Sequence, residues 1–110
     1  MTVIYGKDHR LSDDIAQQCQ SLFVEYQAEV VDESPYPQPF GNAWVIVRVR
    51  DFLLRFSWDR GSTTVEIKSA RSKGTWEWLD ALIGAMAPSV WTDWCDLFIT
   101  NYVRLERSIK

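Results

Sequence analysis

The chain has one histidine, His9, and two cysteines, Cys19 and Cys95, among its 110 residues. One imidazole and two thiols cannot supply the clustered ligands of a structural zinc site, so no metal and no cofactor is expected. His9 lies in an irregular N-terminal arm, where a solvated residue is expected rather than a catalytic or ligating one. Glycine is sparse as well: Gly6, Gly41, Gly61, Gly74 and Gly84 are scattered and form no phosphate-cradling loop. No apolar run approaches a membrane-spanning length, and Met1 to Arg10 lacks the apolar segment of an export signal. The expectation is a cytoplasmic protein without membrane contact. A basic excess is also missing, since 12 Lys and Arg stand against 15 Asp and Glu, a net charge of −3. Direct nucleic-acid binding needs a net basic footprint and is not expected.

What the chain does have is aromatic and β-branched residues in alternation. From Phe40 to Ala70 the sequence reads FGNAWVIVRVRDFLLRFSWDRGSTTVEIKSA. Val45, Val47 and Val49 share one face of a first strand, against Trp44, Ile46, Arg48 and Arg50. Phe52, Leu54, Phe56 and Trp58 oppose Leu53, Arg55 and Ser57 in a second. Thr63, Val65 and Ile67 oppose Thr64, Glu66 and Lys68 in a third. The connections are short enough to allow only antiparallel neighbours, and Gly61 supplies the positive φ of a tight hairpin.

Helical spacing flanks this meander. Ser12 is read as an N-cap with Asp13 and Asp14 in the first turn, followed by a stripe of Ile15, Cys19, Leu22, Phe23, Tyr26 and Val30. That helix is expected to run to Val30 or Val31 and to cover the valine face of the sheet. Asp32 to Gln38, with Pro35 and Pro37, then reads as a stiff connector. After the basic loop Ser69 to Gly74, Thr75 caps a second helix with Trp78, Leu79, Leu82, Ile83 and Met86 on its buried side. Ser89 caps a third, in which Trp91, Trp94, Leu97, Phe98, Tyr102 and Leu105 recur at steps of three and four. One N-terminal helix, a three-stranded antiparallel meander and two C-terminal helices make a two-layer α+β fold, one domain over residues 1–110.

Catalytic sets are not evident. Asp13-Asp14 has a sufficient role at a helix start, and neither Asp32-Glu33 nor Asp93 with Asp96 implies two carboxylates converging across a cleft. Cys19 belongs to an apolar stripe, and Asp96 beside Cys95 would raise that thiol's pKa, so neither is expected to act as a nucleophile. A single disulfide between them is possible, but two buried reduced thiols are expected. Arg48, Arg50, Arg55 and Lys68 share a sheet face with Glu66 and Trp44. Cross-strand ion pairing explains that face better than RNA stacking, given Ile46 and Leu53 beside it. No activity of its own is expected. Six tryptophans exceed what one small core hides, and Trp44 and Trp76 are least explained by the core stripes.

Phe40-Gly41-Asn42-Ala43, Leu54-Arg55-Phe56, Asp59-Arg60-Gly61 and Val65-Glu66-Ile67 resemble a group of small bacterial proteins. That group includes immunity proteins of polymorphic toxin and contact-dependent growth inhibition systems. The resemblance extends through Leu97-Phe98 and Asn101-Tyr102 to Leu105-Glu106, over the last two thirds of the chain. It implies a protein that binds and neutralises a cognate toxin domain, commonly a nuclease, by blocking its active site. Residues 1–42 carry a net −5, residues 43–75 a net +4 and residues 76–110 a net −2. The acidic N-terminal third is therefore where a basic toxin cleft would be met, with Glu25, Glu29, Asp32, Glu33, Tyr36 and Phe40 as candidate contacts. A monomer or weak homodimer is expected. The alternative is a small acidic secretion chaperone that binds an extended effector segment on its sheet.

Overall fold

Alternating side chains in the middle of the chain form three strands of eight residues each, β2 (Asn42–Val49), β3 (Phe52–Asp59) and β4 (Ser62–Ser69). The computed structural model describes residues 10–34, 42–71 and 74–109; Val3-Ile4-Tyr5, which the sequence offers as a short edge strand, lies outside them, as do His9, Tyr36, the prolines from 35 to 39, Phe40 and Gly41. Val45, Val47, Val49, Phe52, Leu54, Phe56, Trp58, Val65 and Ile67 are all buried on one face, as the alternation predicts. The two hairpins are tight. Arg50-Asp51 joins the paired Val49 and Phe52, and Arg60-Gly61 joins the paired Asp59 and Ser62. Arg60 and Gly61 both have positive φ (53° and 91°), the backbone twist that suits a two-residue hairpin.

The meander is the centre of a larger sheet. A strand β1 (Glu29–Glu33) precedes it and a two-residue strand β5 (Glu77–Trp78) follows, giving an antiparallel order β1-β2-β3-β4-β5. Helices cover the buried face: α1 (Leu11–Gln18), α2 (Gln20–Glu25), α3 (Leu79–Ile83), α4 (Trp91–Thr100) and α5 (Tyr102–Ile109). Phe52 meets the rings of Phe98 and Tyr102 edge-on, and Phe56 meets Trp91 in the same way. Trp94 is buried with its indole Nε1–H donating to Thr63 Oγ1 at 2.9 Å, so the one polar group of that ring is satisfied inside the core. The α+β class and the two layers hold; the three-strand count and the three-helix count do not.

Each departure has a local cause. The first helical stripe breaks at Cys19 (φ −112°, ψ 41°) and ends before Gln27, which takes a left-handed φ of 54°. Val30 and Val31 therefore leave the helix and enter β1, where they are 39% and 48% exposed. Helix α1 starts one residue before Ser12, with Arg10 in the cap position and no side-chain cap bond. Thr75 caps nothing; the chain runs extended through Trp78 and the helix begins only at Leu79. It then stops at Gly84 (φ 79°), whose N–H and that of Ala85 close back on Ala81 and Asp80 in a Schellman-type end. Trp78 and Met86, expected on the buried side, are consequently 52% and 92% exposed. The last helix starts at Trp91 with Val90, not Ser89, in the cap position. It is interrupted at Asn101, whose Nδ2 donates to the Leu97 carbonyl at 2.9 Å and competes with the backbone ladder.

The cysteines are the other correction. Cys19, at the break between α1 and α2, and Cys95 on α4 are joined by a disulfide rather than left as thiols, with Cα atoms 5.9 Å apart. The non-helical turn at Cys19 brings its side chain against α4. The bridge spans 76 residues of sequence, so it ties the N-terminal helices to the C-terminal pair. Among the described residues, no helix is long and apolar enough to cross a membrane.

Candidate functional site

The helices cover one face of the sheet; among the described residues, no helix lies over the other, whose side chains are largely half-buried. Register sets what stands on that open face. Glu29 pairs with Arg48, Arg48 with Leu53 and Leu53 with Lys68; in the next row Asp32 pairs with Ile46, Ile46 with Arg55, Arg55 with Glu66 and Glu66 with Trp78. A third row holds Trp44, Ser57 and Thr64. Paired residues in an antiparallel ladder point to the same side, so these side chains form one continuous surface.

Its centre is rigid. Arg55 grips Glu66 through two bonds, Nε to Oε1 and Nη2 to Oε2, each 2.9 Å. The fork geometry of a guanidinium on a carboxylate makes this the directional kind of ion pair. The Arg55 guanidinium carbon also lies 4.4 Å from the centroid of the Trp76 ring, and Lys68 Nζ lies 5.3 Å from the same ring. Trp44, Ile46, Arg55, Ser57 and Glu66 line a hollow of about 250 Å³ beside this pair. Of the cross-strand ion pairing read from the sequence, the Arg55–Glu66 pair is present; Lys68 stands over Trp76 instead, and Arg48 Nε donates to the Arg50 carbonyl at 3.4 Å. Arg50 is not part of it: a left-handed φ of 55° in the hairpin turns it aside, and its guanidinium stacks 4.7 Å from Tyr26 and 5.4 Å from Tyr102.

At one margin of this face lies β1, the edge of the sheet, bearing most of the acidic residues singled out in the sequence. Glu25 is the last residue of α2 and is exposed. Glu29 opens β1, opposite Arg48, and helps line a smaller hollow of about 130 Å³ with Tyr26, Gln27, Arg48 and Arg50. Asp32 is exposed on the open-face side, its Oδ1 accepting the Glu33 N–H at 2.9 Å. Glu33 pairs with Val45 and so belongs to the helical side, where its carboxylate accepts from Arg10 Nη1 at 2.8 Å. The two groups of acids therefore differ: Glu25, Glu29 and Asp32 face outward, whereas Glu33 is half-buried and paired. Tyr36 and Phe40 lie outside the described residues.

A register shift between Val30 and Asp32 bulges β1, and bulges and charge together are devices that discourage edge-to-edge self-pairing. Three carboxylates within this five-residue strand would oppose their own copies in a symmetric pairing.

The feature that sequence reading missed is the aromatic margin opposite β1. Helical spacing places Trp78 on a buried helix face, yet it stands next to Glu66 on the open side. The spacing of Trp76 and Trp78 by two residues is the strand signal that could have found it. Among the described residues, no group of three or more His, Cys, Asp or Glu is arranged to hold a metal ion. In comparisons with family models, curated proteins and solved structures, nothing matches this chain.

Proposed function

We propose that this chain is a binding protein of the immunity type, which docks on a cognate bacterial toxin domain and covers its active site. The observation that carries the reading is the exposed acidic margin formed by Glu25, Glu29 and Asp32, running into an open sheet face rich in tryptophan and arginine. Acidic groups steer a basic cleft into register and exclude its anionic substrate, and tryptophan and arginine are the residue types that dominate interface energetics. A nuclease cleft, basic because it accepts phosphates, is the complementary surface. The resemblance read from the sequence supplies the toxin as the partner, and the cytoplasm, expected from the N-terminal sequence, is the place of action.

A disulfide in a reducing compartment calls for a physical reason to persist. Reduction proceeds by thiolate attack on an accessible sulfur, and Cys19 and Cys95 are only 1% and 3% exposed. Burial protects the bond kinetically in that setting.

The test is protection of bacterial growth. The adjoining gene is read first, and a toxin domain encoded there is co-expressed with the wild type or with Glu29→Lys/Asp32→Lys; an adjoining gene that encodes no toxin domain counts against the reading. Glu33 is left intact because its pairing with Arg10 would confound the result. The wild type restores growth and the double variant does not, at equal soluble expression. Undiminished protection by the double variant removes the acidic margin from the interface.

A further inference from the structure

We propose that the hollow on the open sheet face is a socket for one aromatic side chain with a hydrogen-bond donor at its tip, a tyrosine or tryptophan carried by the partner. The proposal rests on the docking reading and adds to it the chemistry of the anchoring group.

Size is the first argument. A hollow of about 250 Å³ is smaller than the roughly 300–1,000 Å³ of small-molecule sites and has room for a single side chain. Its surfaces specify which kind. Ile46 and Trp44 give an apolar and an aromatic side, which suit a ring. Arg55, on the other side, is fixed by two bonds to Glu66 and by contact with Trp76. A ring entering the hollow meets a cation that is already ordered, so the cation–π contact costs no further side-chain entropy.

Charge is the second argument. Arg55 and Glu66 neutralise one another, leaving a lining without net charge. An incoming ammonium or guanidinium would stand against Arg55, and an incoming carboxylate against Glu66; a neutral ring avoids both. The third argument is hydrogen bonding. A carboxylate has about four acceptor positions, of which Arg55 uses two, and the Ser57 hydroxyl is a further acceptor on the same wall. A phenol O–H or indole N–H finds partners there that a phenylalanine could not use. Asp32 is the register neighbour of Ile46, so the socket and the acidic margin are parts of one surface.

The experiment is a nitrogen-15 NMR titration of the full chain with p-cresol, the tyrosine side-chain analogue, alongside toluene and N-acetylargininamide. p-Cresol produces saturable shifts at the Trp44 indole N–H and the Arg55 Nε–H, with a dissociation constant in the millimolar range expected of so small a probe. Toluene binds several-fold more weakly for want of the hydroxyl. Ile46→Lys, which fills the hollow, abolishes the shifts, and Trp44→Ala weakens binding at least fivefold. An unchanged Trp94 indole signal shows that each variant is folded. The proposal is overturned if p-cresol shifts neither Trp44 nor Arg55, if argininamide binds more tightly than p-cresol, or if Ile46→Lys leaves the titration unchanged. The docking reading fails separately: a folded chain that takes p-cresol in the hollow but does not bind the toxin domain keeps the socket and loses the partner. Conversely, a toxin complex that Glu29→Lys/Asp32→Lys abolishes but Ile46→Lys and Trp44→Ala leave intact keeps the margin and loses the socket.

Discussion

Thr63 shows how one side chain can settle the orientation of a large one. Its hydroxyl accepts from the Trp94 indole at 2.9 Å and lies 3.3 Å from the Pro88 carbonyl, to which it donates. The loop before α4 and the edge of β4 are thereby tied through the most voluminous fully buried side chain of the core. Thr63→Val keeps the shape but leaves the indole N–H unpartnered in the interior. The expected cost is about 1–3 kcal/mol, read from urea denaturation, with Thr63→Ser recovering most of it. A Thr63→Val midpoint equal to wild type would mean that the hydroxyl is not what satisfies Trp94. Arg55 is the comparable residue on the open face. Its pairing with Glu66 is cross-strand and partly solvated, so Arg55→Ala is expected to lower stability by only about 0.2–1 kcal/mol. That small effect leaves the variant folded and usable in binding measurements.

At the scale of elements, helix α3 ends where it does because Gly84 takes a left-handed φ of 79° with open space around its Cα. Gly84→Ala meets no clash, so its cost is the backbone term alone, about 1–2 kcal/mol, and Gly84→Asn should cost less. Thermal melts of the two variants check the order; an alanine variant as stable as wild type would place the helix end elsewhere. The meander could be read because Val45, Phe52 and Val65 belong to runs of alternation whose buried residues recur at every second position along β2, β3 and the latter part of β4. Strand β1 could not, because Val30 falls on the helical spacing of Ile15, Cys19 and Leu22, and the break at Gln27 uses a left-handed residue that is not glycine. Strand β5 has only two residues, too short for any periodicity to register. The candidate acids Glu29 and Asp32 were found by charge alone, while the hollow beside them depends on cross-strand register, which the sequence does not spell out.

For the molecule as a whole, the Cys19–Cys95 bridge joins the two ends of the helical layer. Closing a loop of 76 residues restricts the unfolded chain, and removing the link should cost on the order of 4 kcal/mol. Cys19→Ser/Cys95→Ser is therefore expected to shift the denaturation midpoint sharply. Alkylation of protein taken from cells under acid quench, followed by intact-mass measurement, should find no reactive thiol before reduction and two after it. Two free thiols in untreated material would contradict the bridged state.

We propose that the acidic margin and the face beside it form an interface with a folded partner. The deciding measurement is calorimetric titration of a purified toxin domain, once one is identified from the adjoining gene, with wild type and with Glu29→Lys/Asp32→Lys, at low and at physiological salt. The expected result is tight one-to-one binding by the wild type, weakened by added salt, and at least a hundredfold loss in the double variant with its fold unchanged. Equal affinity of the two chains at both salt concentrations would contradict it.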